Sequence, residues 1–307
     1  SSREADIPTI RYIYGKNGHR DEYTPGGGAN LAVNLASLGA KVSVAGVIGD
    51  DPHGEILGEE LEKRKVDTRE LYVSPERTTI LFERAYDFQD PTKPIGRWDS
   101  ENSKPISVLV EGELTEFLET KYHLFDAVVA IDHCEVEGET AIITENVLET
   151  LANLKGKVRT YGSSRNRIGK FKNFHYLIPN GNELVRAART YNPKDFEEDF
   201  YSDLIRDSSK ILWERLNPHG IIITRGYKGA SFFQENELKD IPTKPLIGPI
   251  DTCGCGDTFL AALVLAEISG ASIEDAIKLA NAAAGTTAKK LGTTGTPTIK
   301  ELEEVLK

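Results

Sequence analysis

In the run Ile250-Asp251-Thr252-Cys253-Gly254-Cys255-Gly256-Asp257-Thr258-Phe259 a two-glycine turn is followed at once by an acid. The run opens into the apolar stretch Leu260–Ile268, which reads as a helix. A turn that feeds a helix leaves the first backbone N–H groups without intrahelical acceptors. Together with the positive end of the helix dipole, those donors form an anion site. Gly254 and Gly256 let the backbone approach an anion where a Cβ would clash, and Cys255 between them is small. A carboxylate beside an anion adds repulsion, unless it takes the proton of a nucleophile that attacks the anion. Asp257 is therefore the candidate general base. The amides of Gly254, Cys255 and Gly256 are the candidate stabilisers of developing charge. An ordinary helix start with a first-turn acid would explain each residue singly, but not the whole run as well.

Four other stretches carry polar groups at turns. Thr24-Pro25-Gly26-Gly27-Gly28-Ala29-Asn30 leads into a helix through Leu31, Val33, Leu35 and Leu38 that stops at Gly39. Taken alone, it is a glycine-rich helix entry with Asn30 in the first turn. Asn180-Gly181-Asn182-Glu183 has the spacing of a capping box. Thr224-Arg225-Gly226-Tyr227-Lys228-Gly229 sits between the strand Gly220–Thr224 and a return strand Ala230–Gln234, as a hairpin would. In Arg97-Trp98-Asp99 the arginine offers a planar fork to a phosphate, or simply pairs with Asp99. Asn281 stands out as polar within the small-residue helix Ser272–Lys289 and is a candidate ligand neighbour.

The decapeptide resembles the signature of the ribokinase-like (PfkB) sugar kinases, usually D-T-x-G-A-G-D, with Cys255 in place of the common alanine. The segment from Pro25 to Gly39 resembles the family's other signature, which implies that Gly26, Gly27 and Asn30 contact sugar hydroxyls. Asn180-x-x-Glu183 matches the N-x-x-E motif, whose acid acts on magnesium, usually through water; magnesium takes few direct protein ligands. The Thr224–Gly229 loop resembles the family's nucleotide-side loop, which assigns Asn180, Thr224, Gly226, Gly229 and Asn281 to ATP. Gly96–Glu101 and the run from Ala280 to Thr298 look closest to bacterial heptose 7-phosphate kinases, with Arg97 at a second substrate phosphate.

The resemblance implies one ribokinase-like kinase domain over 1–307: a three-layer α/β/α sandwich with a mainly parallel central sheet. It adds a small β-sheet lid built from pieces near 8–24 and 78–108. A lid would exclude water from the acceptor site and offer a surface for a homodimer. Relatives begin with a strand ending in a sugar-binding acid. Ser2-Arg3-Glu4-Ala5 resembles the segment after that strand, so the chain is expected to start beyond it. The implied reaction is in-line attack of a sugar or sugar phosphate hydroxyl on the γ-phosphate of ATP with magnesium. A kinase of fructose, ribose or a nucleoside, or a silent sugar- or nucleotide-binding relative, would share these motifs.

The elements expected to position these residues read as a βα alternation. Pro8–Tyr14 and His19–Thr24 form a hairpin around Lys16-Asn17-Gly18. Strands follow at Lys41–Ile48, Thr78–Asp87, Asp126–Asp132 and Val158–Gly162, with helices at His53–Arg64 and Thr144–Leu154. Thr298 to Glu301 is a capping box that opens a final helix.

With 307 residues, 39% of them hydrophobic, there is material for one large domain or two small ones. A formal net charge of -11 argues against a nucleic-acid partner. No apolar run reaches the ~18 residues of a membrane span. Three cysteines without framework spacing suit a cytoplasmic setting. No P-loop and no G-x-G-x-x-G occurs.

Overall fold

The computed structural model describes residues 9–13, 20–86, 94–134, 140–192, 201–292 and 294–306. These fall into two compact units, one from residues 1–104 and 246–307 and the other Pro105–Pro245.

The first unit opens with β1 (Thr9–Ile13) and β2 (Arg20–Thr24), paired antiparallel from Thr9 opposite Thr24 to Ile13 opposite Arg20. The expected turn at Lys16-Asn17-Gly18 lies outside the described residues. Helix α1 (Gly27–Ser37) follows, then β3 (Val42–Gly49), α2 (Pro52–Lys63) and β4 (Val66–Ser74). Strands β3 and β4 pair in parallel, with α2 as the crossover. Ala32 and Val33 of α1, Ile48, Leu57, Leu61 and Val66 form one buried cluster here. Two further strands, β5 (Phe82–Tyr86) and β6 (Pro94–Asp99), join the first two in a separate four-stranded sheet of order β2-β1-β5-β6. Its pieces come from the stretches expected to form the lid.

Asp51 ties this region together. Its carboxylate caps α2 by accepting from the Gly54 amide at 2.9 Å, and it accepts from the Thr79 amide at 2.7 Å. Burial pushes the carboxyl pKa up, but bonds from Thr79 and Gly54 and the nearby His53 outweigh that and hold it below 3.8. The folded pKa is thus depressed, so the stabilisation is present above the unfolded pKa and lost as pH falls through the folded one. Asp51→Asn keeps a capping oxygen but turns an NH₂ group toward one of the two amides, so it should lower stability by about 1 kcal/mol at pH 7 and flatten the loss of stability below about pH 4. Urea titrations at pH 7, 5 and 3.5 check this; parallel pH dependences for both proteins would rule it out.

The second unit runs through α3 (Val108–Lys121), β7 (Ala127–Asp132), α4 (Glu145–Ala152), β8 (Arg159–Ser164), β9 (Tyr176–Leu177), α5 (Gly181–Tyr191), α6 (Tyr201–Leu216), β10 (Gly220–Thr224), β11 (Ala230–Gln234) and β12 (Glu237–Ile241). Its six-stranded sheet has the order β12-β11-β10-β9-β8-β7. The four strands β7 to β10 run parallel; β11 and β12 continue antiparallel at one edge. The Ile221–Ile223 run of β10 is fully buried, as a strand covered on both faces requires. Helices α5 and α6 pack on each other and on β10.

The chain then re-enters the first unit with α7 (Cys255–Ile268), α8 (Ile273–Ala288) and α9 (Ile299–Leu306). Every residue from Phe259 to Val264 is buried, so α7 is apolar all round, the pattern of an enclosed helix. It packs on α8 and on α1. In α9 the expected capping box is present: Thr298 Oγ1 accepts from the Glu301 amide at 3.3 Å, and Glu301 Oε2 accepts from the Thr298 amide at 2.7 Å. Among the described residues, no helix is long and apolar enough to cross a membrane.

Candidate active site

The glycine turn before α7 has a left-handed cap. Gly254 sits at φ 74° and ψ 0°. A Cβ there would lie 2.3 Å from the Thr294 carbonyl and 2.9 Å from Asn30 Nδ2. Glycine is thus required both by the torsion and by the close approach of two other segments. Asp251 braces the turn from below. Its Oδ1 accepts from the Cys253 amide and its Oδ2 from the Gly292 amide, each at 3.0 Å, while its own amide donates to Ala288 O at 2.8 Å.

Of the three amides expected to meet an anion, that of Cys255 turns back to Thr252 O at 3.2 Å. Among the described residues, the N–H groups of Gly254 and Gly256 have no acceptor. Gly256 is exposed and a Cβ there would meet nothing within 4 Å. Two unpaired donors at the start of a 14-residue helix fit a phosphate group.

Asp257, 6% exposed, stands in the first turn of α7. Its Oδ2 accepts from Asn30 Nδ2 at 2.6 Å, across 227 residues of sequence. Asn30 is fully buried, and its Oδ1 accepts from Asn34 Nδ2 at 3.1 Å. The asparagine expected at sugar hydroxyls therefore spends one proton on the candidate base and one lone pair on Asn34. One proton and one lone pair remain for a ligand. Gly26 caps α1 and Gly27 begins it at φ 54°; both are buried. Asn34, Thr258, Thr287 and Asp251 were not singled out from sequence. Two asparagines at i and i+4 on the apolar face of α1 are the signal that would have pointed to the first of them.

In the second unit, Asn180 and Glu183 form the capping box of α5. Asn180 Oδ1 accepts from the Glu183 amide at 2.9 Å. Glu183 Oε2 accepts from the Asn180 amide at 2.8 Å and its Oε1 from Asn180 Nδ2 at 2.7 Å. A carboxylate at this place can meet a hydrated cation through water. Asn180 bridges Thr224 in parallel pairing, so two motifs distant in sequence lie side by side at the ends of β9 and β10. In the Thr224–Gly229 loop, the Arg225 amide donates to Gly229 O at 2.8 Å, and Arg225 Nη1 donates to Asp240 Oδ1 at 2.7 Å. Gly226 (φ 58°) is open around its Cβ position; a Cβ on Gly229 (φ 88°) would meet Ile241 O at 2.4 Å. Asn281 lies in α8, 8% exposed.

Arg97 and Asp99 are two residues apart on β6, hence on one face. Arg97 Nε donates to Asp99 Oδ1 at 2.7 Å, and the guanidinium lies 4.9 Å from the Phe82 ring centroid. Among the described residues no cluster of three or more His, Cys, Asp or Glu could hold a metal.

The mainly parallel sheet and the helices that pack on it make this an α/β protein. The pfkB family of carbohydrate kinases matches residues 5–300, and the chain belongs to it. It is a carbohydrate kinase of that family. The bifunctional protein HldE of Helicobacter pylori (strain ATCC 700392 / 26695) is 28% identical over 306 residues, 99% of this chain and 61% of its own length. HldE of Syntrophotalea carbinolica is 28% identical over 316 residues, 99% of this chain and 58% of its own. The chain thus spans about three-fifths of the curated relatives it matches. Among solved structures, Arabidopsis thaliana ribokinase complexed with ribose and ATP has 18% identity and a TM-score of 0.74, covering 99% of this chain and 97% of that one. Phosphofructokinase-2 from Escherichia coli in complex with potassium has 16% identity and a TM-score of 0.77, with 98% and 96% covered. The fold is ribokinase-like.

Proposed function

We propose that this chain transfers the γ-phosphate of ATP to a hydroxyl of a sugar phosphate of the heptose 7-phosphate type, in the cytoplasm. The observation that carries the reading is Asp257, buried at the start of α7 beside the unpaired amides of Gly254 and Gly256 and held by Asn30. Asp257 takes the proton of the attacking hydroxyl. The two amides meet the charge that develops on the transferred group. Gly26, Gly27 and the remaining capacity of Asn30 serve the sugar. Asn180, Thr224, Gly226, Gly229 and Asn281 serve the nucleotide, and Glu183 serves magnesium through water. Magnesium, when bound, neutralises phosphate charge. The resemblance of Gly96–Glu101 and of the run from Ala280 to Thr298 to heptose 7-phosphate kinases, with Arg97, supports a phosphorylated heptose. Arg97 would exchange Asp99 for the substrate phosphate, which its planar fork can grip through two parallel bonds. The four-stranded sheet serves as lid, and exposed Ile95 and Trp98 on its edge strand β6 support a homodimer through it.

ADP release from heptose, fructose and ribose, each with and without a phosphate, tests the assignment. Heptose 7-phosphate should turn over fastest and only with magnesium. Equal turnover of unphosphorylated ribose would remove the heptose reading, and no release with any sugar would point to a silent binding relative.

Nucleotide recognition is best tested at Gly226. Gly226→Val forces a left-handed torsion costing about 1–2 kcal/mol, but its side chain has room in the protein. ATP affinity should fall about tenfold while sugar affinity stays the same by calorimetry. Unchanged ATP affinity would return the loop to an ordinary hairpin. Gly229 is the wrong site for this test, because a Cβ there strikes Ile241 and Thr243 backbone and reports on folding.

A further inference from the structure

Behind Asp257 lies a chain of buried polar side chains that joins three helices. Thr258 Oγ1 donates to Asn34 Oδ1 at 2.8 Å and lies 2.9 Å from Thr287 Oγ1. Asn34 Nδ2 donates to Asn30 O at 2.8 Å and to Asn30 Oδ1 at 3.1 Å. Asn30 Nδ2 donates to Asp257 Oδ2. Asn34 is fully buried, as is Thr258, and Thr287 is 1% exposed. Nothing in helix packing requires four polar side chains in this place, since apolar residues of the same size would fill it without hydrogen-bond constraints.

Counting donors gives the chain one direction. The Asn30 backbone carbonyl only accepts, so the NH₂ end of Asn34 must face it and the Oδ1 end must face Thr258. The single hydroxyl proton of Thr258 is then spent on Asn34 Oδ1. Thr287 must therefore donate to Thr258. At the other end, Asn30 Oδ1 is occupied by Asn34, so its NH₂ end is the one presented to Asp257. Were Asn30 flipped, its carbonyl oxygen would face the carboxylate and repel it. Every proton in the sequence Thr287, Thr258, Asn34, Asn30 points toward Asp257.

We propose that Asn34, Thr258 and Thr287 are positioning residues: they fix the amide of Asn30 so that a donor always holds the Asp257 carboxylate in its reactive orientation. The inference rests on the reading of Asp257 as general base. The chain reaches from α8 through α7 to α1, so it also ties the orientation of the base to the seating of these helices.

Thr258→Val removes the hydroxyl at nearly constant volume and leaves Asn34 Oδ1 without its donor, so that only the bonds to Asn30 hold the Asn34 amide. Thr258→Ser restores the hydroxyl. Thr287→Val removes only the outermost donor. With the sugar phosphate saturating, kcat should fall about tenfold in Thr258→Val, less in Thr287→Val, and recover in Thr258→Ser, with the KM for ATP unchanged in all three. Melting temperatures are measured alongside. A merely structural role predicts lower melting points with wild-type kcat on the folded fraction, and that result would overturn the proposal. Equal kcat losses in Thr258→Ser and Thr258→Val would do the same, since the hydroxyl would then not matter. Asp257→Asn is assayed in parallel. If it turns over normally, the base reading fails; if it is inactive while the threonine variants keep wild-type kcat, only the positioning inference fails.

Discussion

Asp257→Asn will reduce turnover by about 10² to 10⁴, the usual contribution of a positioned base. The substitution keeps the size of the side chain and removes its proton affinity. An asparagine oxygen still accepts from Asn30 Nδ2, now 2.6 Å from the carboxylate, so the contact between α1 and α7 survives in weaker, uncharged form. The loss of an acid from a helix first turn costs about 0.3–1 kcal/mol. ATP should bind as well as before or slightly better, because a negative charge beside its phosphates is gone. A residue that served only as a helix-start acid would behave otherwise, with near-normal turnover and a lower melting point. Turnover, ATP affinity and melting on the one variant separate these outcomes, and the second pattern would refute the catalytic assignment.

The turn before α7 was legible in the sequence because it depends on local order. Glycines, an acid and a helix start within eight residues specify a cap, two spare donors and a carboxylate without any distant partner. The parallel strands were legible for a similar reason: Ile221–Ile223 and the Ala127–Asp132 run are short, apolar and bounded by turns. What stayed hidden is instructive. In α6 the buried face is Ile205, Ser208, Ser209, Leu212 and Leu216; two serines in the middle break the apolar stripe although the helical spacing is intact. In α3 the apolar pair Val108 and Leu109 is exposed while Val110 and Leu114 are buried, so the period is blurred. Strand β4 puts the polar run Asp67–Glu70 before Leu71–Val73, with no alternation to read, and its place is decided by pairing with β3. The polar chain from Thr287 to Asp257 was out of reach altogether. Its bonds span 224 and 227 residues, and no local pattern encodes which buried hydroxyl meets which amide. The same limit explains why the sequence grouped Cys255 with the anion-binding amides. That its N–H returns to Thr252 depends on the tightness of the turn.

Gly254→Ala is expected to damage both folding and catalysis, whereas Gly256→Ala separates the two. At Gly254 the backbone has φ 74°, and placing an L-residue there costs about 1–2 kcal/mol. The added methyl would also stand 2.3 Å from Thr294 O and 2.9 Å from Asn30 Nδ2. Thr294 is itself held, by its Oγ1 donating to Pro25 O at 3.3 Å, so the strain falls in part on Asn30, whose amide holds the base. Turnover should drop about 100-fold, as for a displacement near 1 Å at a reacting group, with a stability loss of about 2–3 kcal/mol. Gly256 has no such constraint, since a Cβ there meets no protein atom within 4 Å. Within a helix, alanine is better than glycine by about 0.5–1 kcal/mol, so Gly256→Ala should melt at the same temperature or slightly higher. Its methyl would instead crowd whatever approaches the unpaired amide. ATP affinity measured by calorimetry should therefore fall in a protein that is no less stable. If Gly256→Ala binds ATP as the wild type does, the turn before α7 is not where phosphate docks.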